Sequence, residues 1–590
     1  MSSRVTISAN STGFVNRRLS NKKSIGAIQR DDGTVVTSDR ERAELLNKYF
    51  SSVCKHDDGN NPPFSRAELC DGSSVNTVVF SADNVKHAMK KLKPNLSSGP
   101  DGFPPLLIKQ LFNCLAEPLS FIFTSFMSVG KIPDEWRRAV VTPVYKGGRA
   151  GDVSNYRPIS LTCVCSKIME RVIVQDLLGH LMRHGLISKQ QHGFIMKRST
   201  VTNLTETLND WTLALDNKQS IAAVYVDFSK AFDTVCHSKL ANKLRAYGVS
   251  GNLLLWISDF LAGRSQVTKV GNSQSSELSI ISGVIQGSCL GPLLFLLFIN
   301  DITDILPTNC KCKLYADDLK LYTSVNVGDC STTAIQESLD VIYAWSRDWQ
   351  LSISYAKCSL MFVGCHGNKP NDVPASVHIG NHVMQSVDTV KDLGVHVDEN
   401  LKFTTHINMT VAKAQSRANL IHKCFISKDP TTLIRAFTTY VRPILEYASS
   451  IWSPYLVGAV SKIESVQRTF TKRIRSMRNL SYAERLSALA LESLETRRLR
   501  LDLIYLYKIL FGRVDVEWSN MFEFAPASRT RGHCYKLFVK RSRINIRQKF
   551  FCNRIVSVWN GLPAGPEHFC SLTVFICFVR AADLSEWMSL

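Results

Sequence analysis

One short segment constrains the fold of this chain more than any other: the six apolar residues Ile221–Val226, which run directly into Asp227. An unbroken apolar run of this length is typical of a strand that is buried on both faces of its sheet. A carboxylate gains no stability from the end of such a strand. The segment therefore predicts a fold of helices and strands in which a central strand presents a functional acid.

A second acidic feature, Tyr315-Ala-Asp-Asp318, follows ninety residues later. Neighbouring side chains of a regular strand point to opposite faces, so Asp317 and Asp318 converge only if they occupy the turn of a hairpin. Laid beside the strand that ends at Asp227, this hairpin would gather three carboxylates. Such a cluster repels itself unless cations neutralise it, and carboxylate oxygens select Mg²⁺ or Mn²⁺.

Two such ions, about 3.5–4 Å apart, are the known device for in-line nucleotidyl transfer. The alternative is structural: Asp-Asp is often a solvated turn, and Asp227 alone could cap a helix. Two further features favour the catalytic interpretation. Phe232 lies on the strand-to-helix turn, where a ring can stack under a sugar. Residues 282–288 form a loop of small residues, in which the backbone can approach a nucleotide closely.

The bulk composition agrees with a polyanionic partner. The 590 residues include 71 Lys and Arg against 50 Asp and Glu, a formal charge of +21, which favours nucleic acid before membrane. A merely basic soluble protein is the alternative. The 17 cysteines lack the spacing of a zinc site and are interpreted as reduced thiols. The longest apolar run, Leu290–Ile299, is about half of the ~20 residues that a membrane span needs, so we expect a buried helix and no membrane partner.

Periodicity and capping residues predict the main elements. Past residue 400 the pattern is mostly helical, and from residue 98 to about 215 helices are expected to alternate with short basic loops. The individual predictions are helices at Arg42–Ser52, from Ser81 to about Leu92, at Gly291–Asn300 and at Thr333–Gln350, a strand at Val75–Phe80, and strand, turn and strand at Cys312–Tyr322.

The motifs of this sequence resemble those of a known family, the reverse transcriptases of non-LTR (LINE-type) retrotransposons, with the jockey-like branch nearest. The resemblance covers roughly residues 24 to 565, and its specificity lies in the ordered set of motifs. In the family's order these are Ser98–Gly102, Ile132–Trp136 with Val144–Gly147, Asn155–Ser160, Gln191–Phe194, Asp227–Asp233, Gly283–Ser288 with Leu290–Phe295, Tyr315–Asp318 and Lys391–Gly394.

The resemblance implies an α+β fold of the right-hand polymerase type, with fingers, an antiparallel palm sheet and a thumb, followed by a mostly helical basic region. It implies an N-terminal extension at 1–80, fingers at 81–215, a palm at 216–400, a thumb at 401–480 and the basic region at 481–590. The reverse transcriptase domain itself would occupy about 125–400.

The resemblance also implies roles for individual residues. Asp227, Asp317 and Asp318 would be the catalytic acids and the ligands of two Mg²⁺ ions, with Mn²⁺ as a substitute. Leu393 and Gly394 would hold the primer end. The remaining nucleotide-binding residues would be Phe228 through its carbonyl, Phe232 as the gate against ribonucleotides, Arg157 and Lys146 at the triphosphate, Gln286 and Gly287 beside the nucleotide, and Lys357 as the acid toward pyrophosphate.

The sequence departs from the family at three places. Ile285 stands where proline is usual, and the turn residues around Lys357 differ, which makes the placement of that lysine less secure. The resemblance begins close to Met1, so the chain is expected to lack the family's N-terminal endonuclease-like domain.

The C-terminal region is expected to track phosphates without reading sequence. Residues 528–554 contain 9 basic and no acidic side chains, with Tyr535, Phe538, Phe550 and Phe551 interleaved. Cations neutralise phosphates and aromatic rings offer stacking surfaces. For Phe550 and Phe551 a core position is the better interpretation.

The sequence therefore predicts an RNA-directed DNA polymerase with an RNA template, a DNA primer and dNTPs as partners. The alternative from another class is a catalytically unproductive nucleic-acid-binding remnant of a truncated element. An RNA-dependent RNA polymerase is disfavoured because Phe232 would obstruct the ribose 2′-hydroxyl. A nuclear location is inferred from the family alone, and the sequence does not fix the oligomeric state.

Overall fold

The computed structural model describes residues 25–30, 32–65, 74–95, 98–326, 332–364, 377–526 and 533–588. The chain divides into two compact units. The first consists of Met1–Phe194, Asp227–Leu306 and Asp340–Ser354. The second consists of Ile195–Val226, Pro307–Leu339 and Tyr355–Leu590.

Both units mix helices with strands. The helices are α1 (Asp39–Ser52), α2 (Ala82–Lys90), α3 (Pro105–Gln110), α4 (Phe112–Val129), α5 (Val164–Arg183), α6 (Thr200–Asp216), α7 (His237–Ala246), α8 (Gly251–Leu261), α9 (Gly291–Ile299), α10 (Thr333–Asp348), α11 (Thr404–Cys424), α12 (Pro430–Tyr440), α13 (Arg442–Glu446), α14 (Ser449–Trp452), α15 (Val457–Lys472), α16 (Tyr482–Ala488), α17 (Leu494–Leu510), α18 (Asn545–Lys549), α19 (Phe551–Gly561) and α20 (Leu572–Ala581).

The strands form two five-stranded sheets and several hairpins. They are β1 (Ile28–Gln29), β2 (Val35–Val36), β3 (Arg138–Tyr145), β4 (Tyr156–Leu161), β5 (Gln219–Val226), β6 (Arg264–Val270), β7 (Ser273–Gln274), β8 (Leu278–Ile280), β9 (Lys311–Tyr315), β10 (Asp318–Asn326), β11 (Ser359–Val363), β12 (His378–Ile379), β13 (His382–Val383), β14 (Gln385–Ser386), β15 (Thr389–Asp392) and β16 (Val395–Asp398).

The sheet of the first unit has the order β4-β3-β6-β7, with β8 also paired to β6. Strands β3 and β6 run parallel, and β3 and β4 run antiparallel. Helix α1 packs on β6 and begins at Ser38, whose hydroxyl accepts from the Glu41 N–H at 3.2 Å. The fully buried Asn47 of α1 accepts hydrogen bonds from Gln266 and Thr268 of β6. These polar contacts fix the helix on the sheet.

The sheet of the second unit has the order β14-β11-β5-β10-β9. Strand β5 lies in its middle, antiparallel to β10 on one side and to β11 on the other. Its residues Ile221, Ala222, Ala223 and Val224 are buried at 2% exposure or less. The predicted doubly buried strand at 221–226 is confirmed, and the structure extends it to Gln219.

The rest of the second unit is mostly helical, as predicted for residues past 400. Its apolar core forms one cluster that extends from Leu204 of α6 to Leu584 and includes residues of α11 and α17. Phe550 and Phe551 belong to this core, which confirms the interpretation given for them, whereas Phe538 is 51% exposed.

Most predicted helices are confirmed, including α2, whose N-cap Ser81 accepts from the Asn84 N–H at 3.2 Å. The strand predicted at Val75–Phe80 is wrong. Only Val75 forms a bridge, with Val249, and the carbonyl of Asn76 accepts from the Leu253 N–H in the first turn of α8. The backbone at Asn76 thus forms a hydrogen bond with the first turn of α8 and does not pair with a neighbouring strand.

Strands β3 and β4 lie where the sequence suggested helices and basic loops. Pro143 of β3 pairs in register with Pro158 of β4. Proline lacks an N–H for the ladder, so both segments carry a weak strand signal. The parallel partner β6 pairs only with residues 138–141 of β3, which leaves Pro143 beyond that ladder.

Two apolar helices are relevant to the prediction that the chain has no membrane partner. Helix α9 is buried along its whole length, as predicted for Leu290–Ile299. Helix α4 is the one helix in the described ranges that is long and apolar enough to cross a membrane by length and composition. It contains Pro118, and its buried face packs Phe123 against Phe80 and Trp136.

Candidate active site

The Asp317-Asp318 pair lies at the tip of the hairpin formed by β9 and β10. The last cross-strand pair is Tyr315 with Asp318, so Ala316 and Asp317 form a two-residue turn. Ala316 has φ of 58°, a left-handed conformation that non-glycine residues rarely adopt. The turn leaves Asp318 exposed and Asp317 half-buried. The predicted hairpin is confirmed, with both acids at its tip.

The neighbouring strand β5 ends beside this tip. Its last residue, Val226, pairs with Leu319, the residue that directly follows Asp318. The chain then continues into Asp227, which belongs to the first unit. There the Asp227 carbonyl accepts from the Ser354 N–H at 2.7 Å.

Helix α6 anchors the β9–β10 hairpin from the side. Lys313 of β9 forms a buried ion pair with Glu206, and the Tyr322 hydroxyl of β10 donates to Asp210 at 2.8 Å. The Asn203 amide donates to the Leu314 carbonyl at 3.1 Å. The acids at the tip are therefore carried by a hairpin whose base is fixed through buried polar contacts.

The turn after Asp227 is held by aromatic packing in the first unit. Phe228 is 3% exposed, forms a bridge with Ile353, and lies with its ring centroid 6.3 Å from that of Trp345. The Trp345 indole donates to Asp301 at 3.0 Å. Asp301 is also paired with Lys243, whose ammonium lies 3.7 Å from the Trp349 ring centroid. This packing restricts the backbone that follows Asp227.

Phe232 lies on the same turn with one face of its ring covered. It stacks on Phe295 of α9, with ring centroids 4.2 Å apart and an interplanar angle of 18°. Its carbonyl accepts from the Val284 N–H at 2.7 Å. The residue is only half-buried, so part of the ring surface can contact a ligand. The stacking on Phe295 fixes the orientation of the ring.

The loop 282–288 is clamped against β4. The Gln286 carbonyl accepts from the Ser160 N–H at 2.7 Å. At Gly287, φ is 126°, and a Cβ there would lie 2.3 Å from the Ser160 carbonyl oxygen, so only glycine fits. The buried Glu170 carboxylate accepts from the N–H groups of Cys289 and Leu290 where α9 begins. The loop is therefore fixed at both ends.

The side chain of Gln286 is held by Asp233, an acid to which the sequence motif assigned no role. The Gln286 amide donates to the Asp233 carboxylate at 2.6 Å. Burial raises the pKa of Asp233, while the Gln286 hydrogen bond and the charges of Lys230, Lys146 and Arg157 act in the opposite direction. Three predicted nucleotide-binding residues thus act on the half-buried Asp233 carboxylate, Gln286 through a hydrogen bond and Lys146 and Arg157 through their charges.

Lys146 and Arg157 lie at the end of the β3–β4 hairpin and are both exposed. Arg157 pairs in register with Val144, and the Lys146 N–H donates to the Asn155 carbonyl at 2.8 Å. Two cations on one rigid hairpin, near a glutamine and a half-buried acid, form a site with the chemistry of a phosphate-binding surface.

The other predicted residues belong to the second unit. Lys357 ends a short 3₁₀ turn, Tyr355–Lys357, before β11 and is exposed. Leu393 and Gly394 form the turn between β15 and β16, with φ of 45° and 89°. The Tyr447 hydroxyl donates to the Leu393 carbonyl at 2.8 Å, so the turn is held in place from the side of α13.

A buried ion pair connects this second hairpin to the sheet. The Lys320 ammonium of β10 lies 2.5 Å from the Asp392 carboxylate of β15, and both residues are less than 10% exposed. The Tyr225 hydroxyl of β5 donates to Asp392 at 3.3 Å, and Lys320 also donates to Asn203 at 3.3 Å. Burial lowers the pKa of Lys320, while the Asp392 charge raises it.

The two hairpin tips of the second unit also share an electrostatic environment. Burial raises the pKa of Tyr315, and the charges of Tyr447 and Asp318 raise it further. Tyr447 therefore lies near the β9–β10 tip as well as against the β15–β16 turn. Within this unit, therefore, the β9–β10 tip that carries Asp318 and the β15–β16 turn, which is predicted to hold a primer, both lie near Tyr447.

Carboxylates at an exposed hairpin tip have the donor chemistry that Mg²⁺ or Mn²⁺ prefers. Within the described part of the chain, however, no group of three or more His, Cys, Asp or Glu side chains is arranged to hold a metal ion. The carboxylate donors at this tip fit a hard divalent cation.

Sequence reasoning missed four residues of these surroundings: Asp233, Lys320, Asp392 and Tyr447. Asp233 and Asp392 lie within motifs that were recognised, so their position in the motif was a usable signal. Lys320 follows Asp318 by two residues in an alternating strand, which places both on one face. For Tyr447 the sequence contains no local signal.

Comparison with known proteins gives a consistent result. Residues 144–397 match the family model of the reverse transcriptase (RNA-dependent DNA polymerase). The chain is 27% identical over 412 residues to the RNA-directed DNA polymerase from mobile element jockey of Drosophila melanogaster, covering 68% of this chain and 44% of that protein. It is 28% identical over 402 residues to the jockey polymerase of Drosophila funebris, covering 66% and 43%.

A third relative is the probable RNA-directed DNA polymerase from transposon BS of Drosophila melanogaster, 27% identical over 419 residues. That match covers 68% of this chain and 45% of the relative. The chain thus spans less than half the length of these curated relatives. The matched family domain contains both hairpin tips and the loop 282–288.

Proposed function

We infer that this chain, whose residues 144–397 form a reverse transcriptase domain homologous to the polymerases of non-LTR retrotransposons, is an RNA-directed DNA polymerase. It would extend the 3′-hydroxyl of a DNA primer with dNTPs on an RNA template. The observation that supports this best is the β9–β10 tip, where Asp317 and Asp318 lie next to the strand end that leads into Asp227.

In this proposal Asp227, Asp317 and Asp318 together ligate two divalent cations. Two Mg²⁺ ions, when bound, would supply activation of the primer 3′-hydroxyl and stabilisation of the leaving pyrophosphate. The chain's part is to hold the three acids in a fixed orientation. The hairpin anchored on α6 and the aromatic packing around Phe228 support such rigidity.

The incoming dNTP would be bound by residues of the first unit. Arg157 and Lys146 would contact the triphosphate, and Gln286 with Gly287 would line the nucleotide. Phe232, stacked on Phe295, would exclude a 2′-hydroxyl because its ring cannot move away from the sugar. Asp233 would act as a positioning residue that holds the Gln286 amide. Lys357 is proposed as the proton donor to pyrophosphate.

The primer end would contact the β15–β16 turn at Leu393 and Gly394. The support for this is that Tyr447 and the Lys320–Asp392 pair fix that turn near the acidic tip. We propose further that residues 81–215 form the fingers, 216–400 the palm and 401–480 the thumb of a right-hand polymerase. Residues 481–590 would form a basic region that tracks phosphates.

The test is primer extension on a homopolymer RNA template with dNTP and Mg²⁺, using the full chain. We expect the parent to add nucleotides and Asp317→Ala to lose essentially all incorporation. Asp340→Ala, an exposed acid on α10, removes the same charge and should extend as the parent does. Each variant is also assayed for binding to the primer–template.

Incorporation that survives Asp317→Ala would overturn the proposed mechanism. A parent protein that binds the duplex and adds no nucleotide would instead support the second candidate, a nucleic-acid-binding remnant without productive catalysis.

A further inference from the structure

A cavity of about 300 Å³ opens on the second unit, and its lining includes none of the residues assigned to catalysis. It is enclosed by the start of α11, the segment joining α14 to α15, and the residues around α18. Its walls are mainly apolar, and four aromatic rings contribute to them: Phe403, Trp452, Tyr455 and Phe550. Three of these rings are less than 10% exposed, whereas Tyr455 is 38% exposed at the mouth.

The charged residues around the cavity all have one sign. Lys402, Lys462, Lys549 and Arg554 line it, and none of the described lining residues is Asp or Glu. The Arg554 guanidinium is occupied by Asp502 at 2.7 Å and by the Ser450 carbonyl. The three lysines are exposed. An apolar cavity with three exposed lysines at its rim is complementary to a ligand with a flat apolar part and adjoining negative charges.

The rim is built from strained backbone. Leu401 and Phe403 have φ of 51° and 55°, the left-handed region that apolar and aromatic residues seldom occupy. The Asp398 carboxylate stabilises this loop by accepting from the N–H groups of Asn400 and Lys402, at 3.1 and 3.0 Å. Such strain persists only where the surrounding structure imposes it, and it concentrates at binding sites.

The rim also has a defined relation to the β15–β16 hairpin. Strand β16 runs from the Gly394 turn to Asp398, a length of about 13 Å at ~3.3 Å per residue. The rim loop 399–403 follows immediately. The cavity therefore lies at the opposite end of the hairpin whose turn is proposed to hold the primer, within reach of a nucleic acid strand bound there.

We propose that this cavity binds an unpaired nucleobase of single-stranded RNA, with the adjoining phosphates on Lys402, Lys462 and Lys549. The base would stack on Tyr455, since base–aromatic stacking tolerates every base. Thr404 and Ser453 line the same cavity and offer hydroxyl groups to a ribose 2′-hydroxyl, whereas the Asn408 amide oxygen accepts from Lys462. The choice of RNA rests on the proposed function, in which RNA is the template strand.

Gly458 gives a way to fill the cavity without disturbing the fold. It lines the cavity in the first turn of α15, and a Cβ at this position would have no atom within 4 Å. Gly458→Trp therefore places an indole in the open space, and Gly458→Ala is the matched control that changes the backbone without filling it. Tyr455→Leu is a second variant that retains apolar surface and loses the stacking ring.

The probe is a 15-nucleotide single-stranded RNA that carries one 2-aminopurine, bound to the full chain. We expect 2-aminopurine quenching with the parent and with Gly458→Ala. Gly458→Trp and Tyr455→Leu should each weaken binding about tenfold, the effect of one lost base stack, and reduce the quenching.

The phosphate contacts are tested by the salt dependence of the same binding. Lys402→Ala combined with Lys462→Ala and Lys549→Ala should reduce the slope of log K against log salt by about 2, because each phosphate contact to a single strand contributes about 0.7. The matched control replaces three exposed lysines of α11 and α15 that do not line the cavity, Lys413, Lys423 and Lys472, and should change the slope less.

RNA affinity that is unchanged in Gly458→Trp, or equally weakened in Gly458→Ala, would overturn the proposal. A single-stranded DNA of the same sequence that binds as tightly and responds equally to Gly458→Trp would overturn the assignment to RNA. Primer extension by the same variants separates the two proposals. Loss of extension in Asp317→Ala with RNA binding insensitive to Gly458→Trp rejects the cavity alone, and the converse result rejects the polymerase alone.

Discussion

The protonation state of Asp233 makes the stability of the native protein depend on pH. Burial raises its pKa above the ordinary 3.8, so the native protein retains this proton at a pH where the unfolded chain has lost it. The stabilising contribution is therefore fully present below pH 3.8 and is lost as the pH rises through the raised value. Asp233→Asn should remove this dependence, which parallel urea titrations of parent and variant between pH 4 and 7 would measure.

The same proton should affect nucleotide binding. Ionised Asp233 accepts from the Gln286 amide, and protonation weakens that charge-assisted hydrogen bond. The KM for dNTP should therefore rise as the pH falls through the raised pKa, and this rise should be absent in Asp233→Asn. An identical acidic limb in both proteins would show that Asp233 does not position Gln286.

Phe232 governs sugar selection in the proposed function. Its stacking on Phe295 fixes the ring, so Phe232→Ala should open space for a 2′-hydroxyl. We expect the ratio of ribonucleotide to deoxynucleotide incorporation to rise by roughly one to two orders of magnitude. Phe232→Tyr keeps the ring and should leave the ratio nearly unchanged. A ratio that does not respond to alanine would reject the gate assignment.

At the scale of elements, the Lys320–Asp392 pair joins the five-stranded sheet of the second unit to the β15–β16 hairpin. Removing one member leaves a buried charge, so Lys320→Met should cost about 3–5 kcal/mol of the free energy of unfolding. The double variant with Asp392→Leu should recover most of that loss. A double-mutant cycle by urea unfolding measures the coupling, and additive losses would contradict it.

Tyr447 supports the same hairpin by a hydrogen bond from its hydroxyl to the Leu393 carbonyl, and the same hydroxyl lies 3.1 Å from the Thr200 hydroxyl. Tyr447→Phe removes one net hydrogen bond of about 1 kcal/mol, equivalent to roughly a fivefold change. We expect the KM for primer to rise by that factor while the KM for dNTP stays constant. Steady-state titration of each substrate distinguishes this from a general loss of folding, which would lower kcat without selectivity.

The elements also show what a sequence can predict. Strand β5 and the β9–β10 hairpin were predictable because their signals are local: an apolar run, and two acids in a turn. Strands β3 and β4 were not, since Pro143 and Pro158 suppress the local strand signal. The Lys320–Asp392 pair joins residues 72 positions apart, so its existence depends on tertiary packing that no local pattern contains.

At the scale of the whole molecule, the charge of +21 predicted a polyanionic partner, and homology to reverse transcriptases agrees with it. The sequence placed this charge broadly in the C-terminal region. Around the aromatic cavity the structure distinguishes three exposed lysines from Arg554, which forms an ion pair with Asp502. Composition cannot make this distinction, because it depends on which cations the fold leaves at the surface.

The central claim is that Asp227 joins Asp317 and Asp318 around the same ions. Iron-directed cleavage tests it most directly, because Fe²⁺ in place of Mg²⁺, supplied with hydrogen peroxide and ascorbate, generates hydroxyl radicals that cut the backbone next to the bound metal. We predict cuts beside Asp227 and beside Asp317-Asp318 at one Fe²⁺ concentration, both suppressed by excess Mg²⁺ and both lost in Asp317→Ala. Cuts beside Asp227 that persist in Asp317→Ala, or that are absent from the parent protein, would contradict the claim.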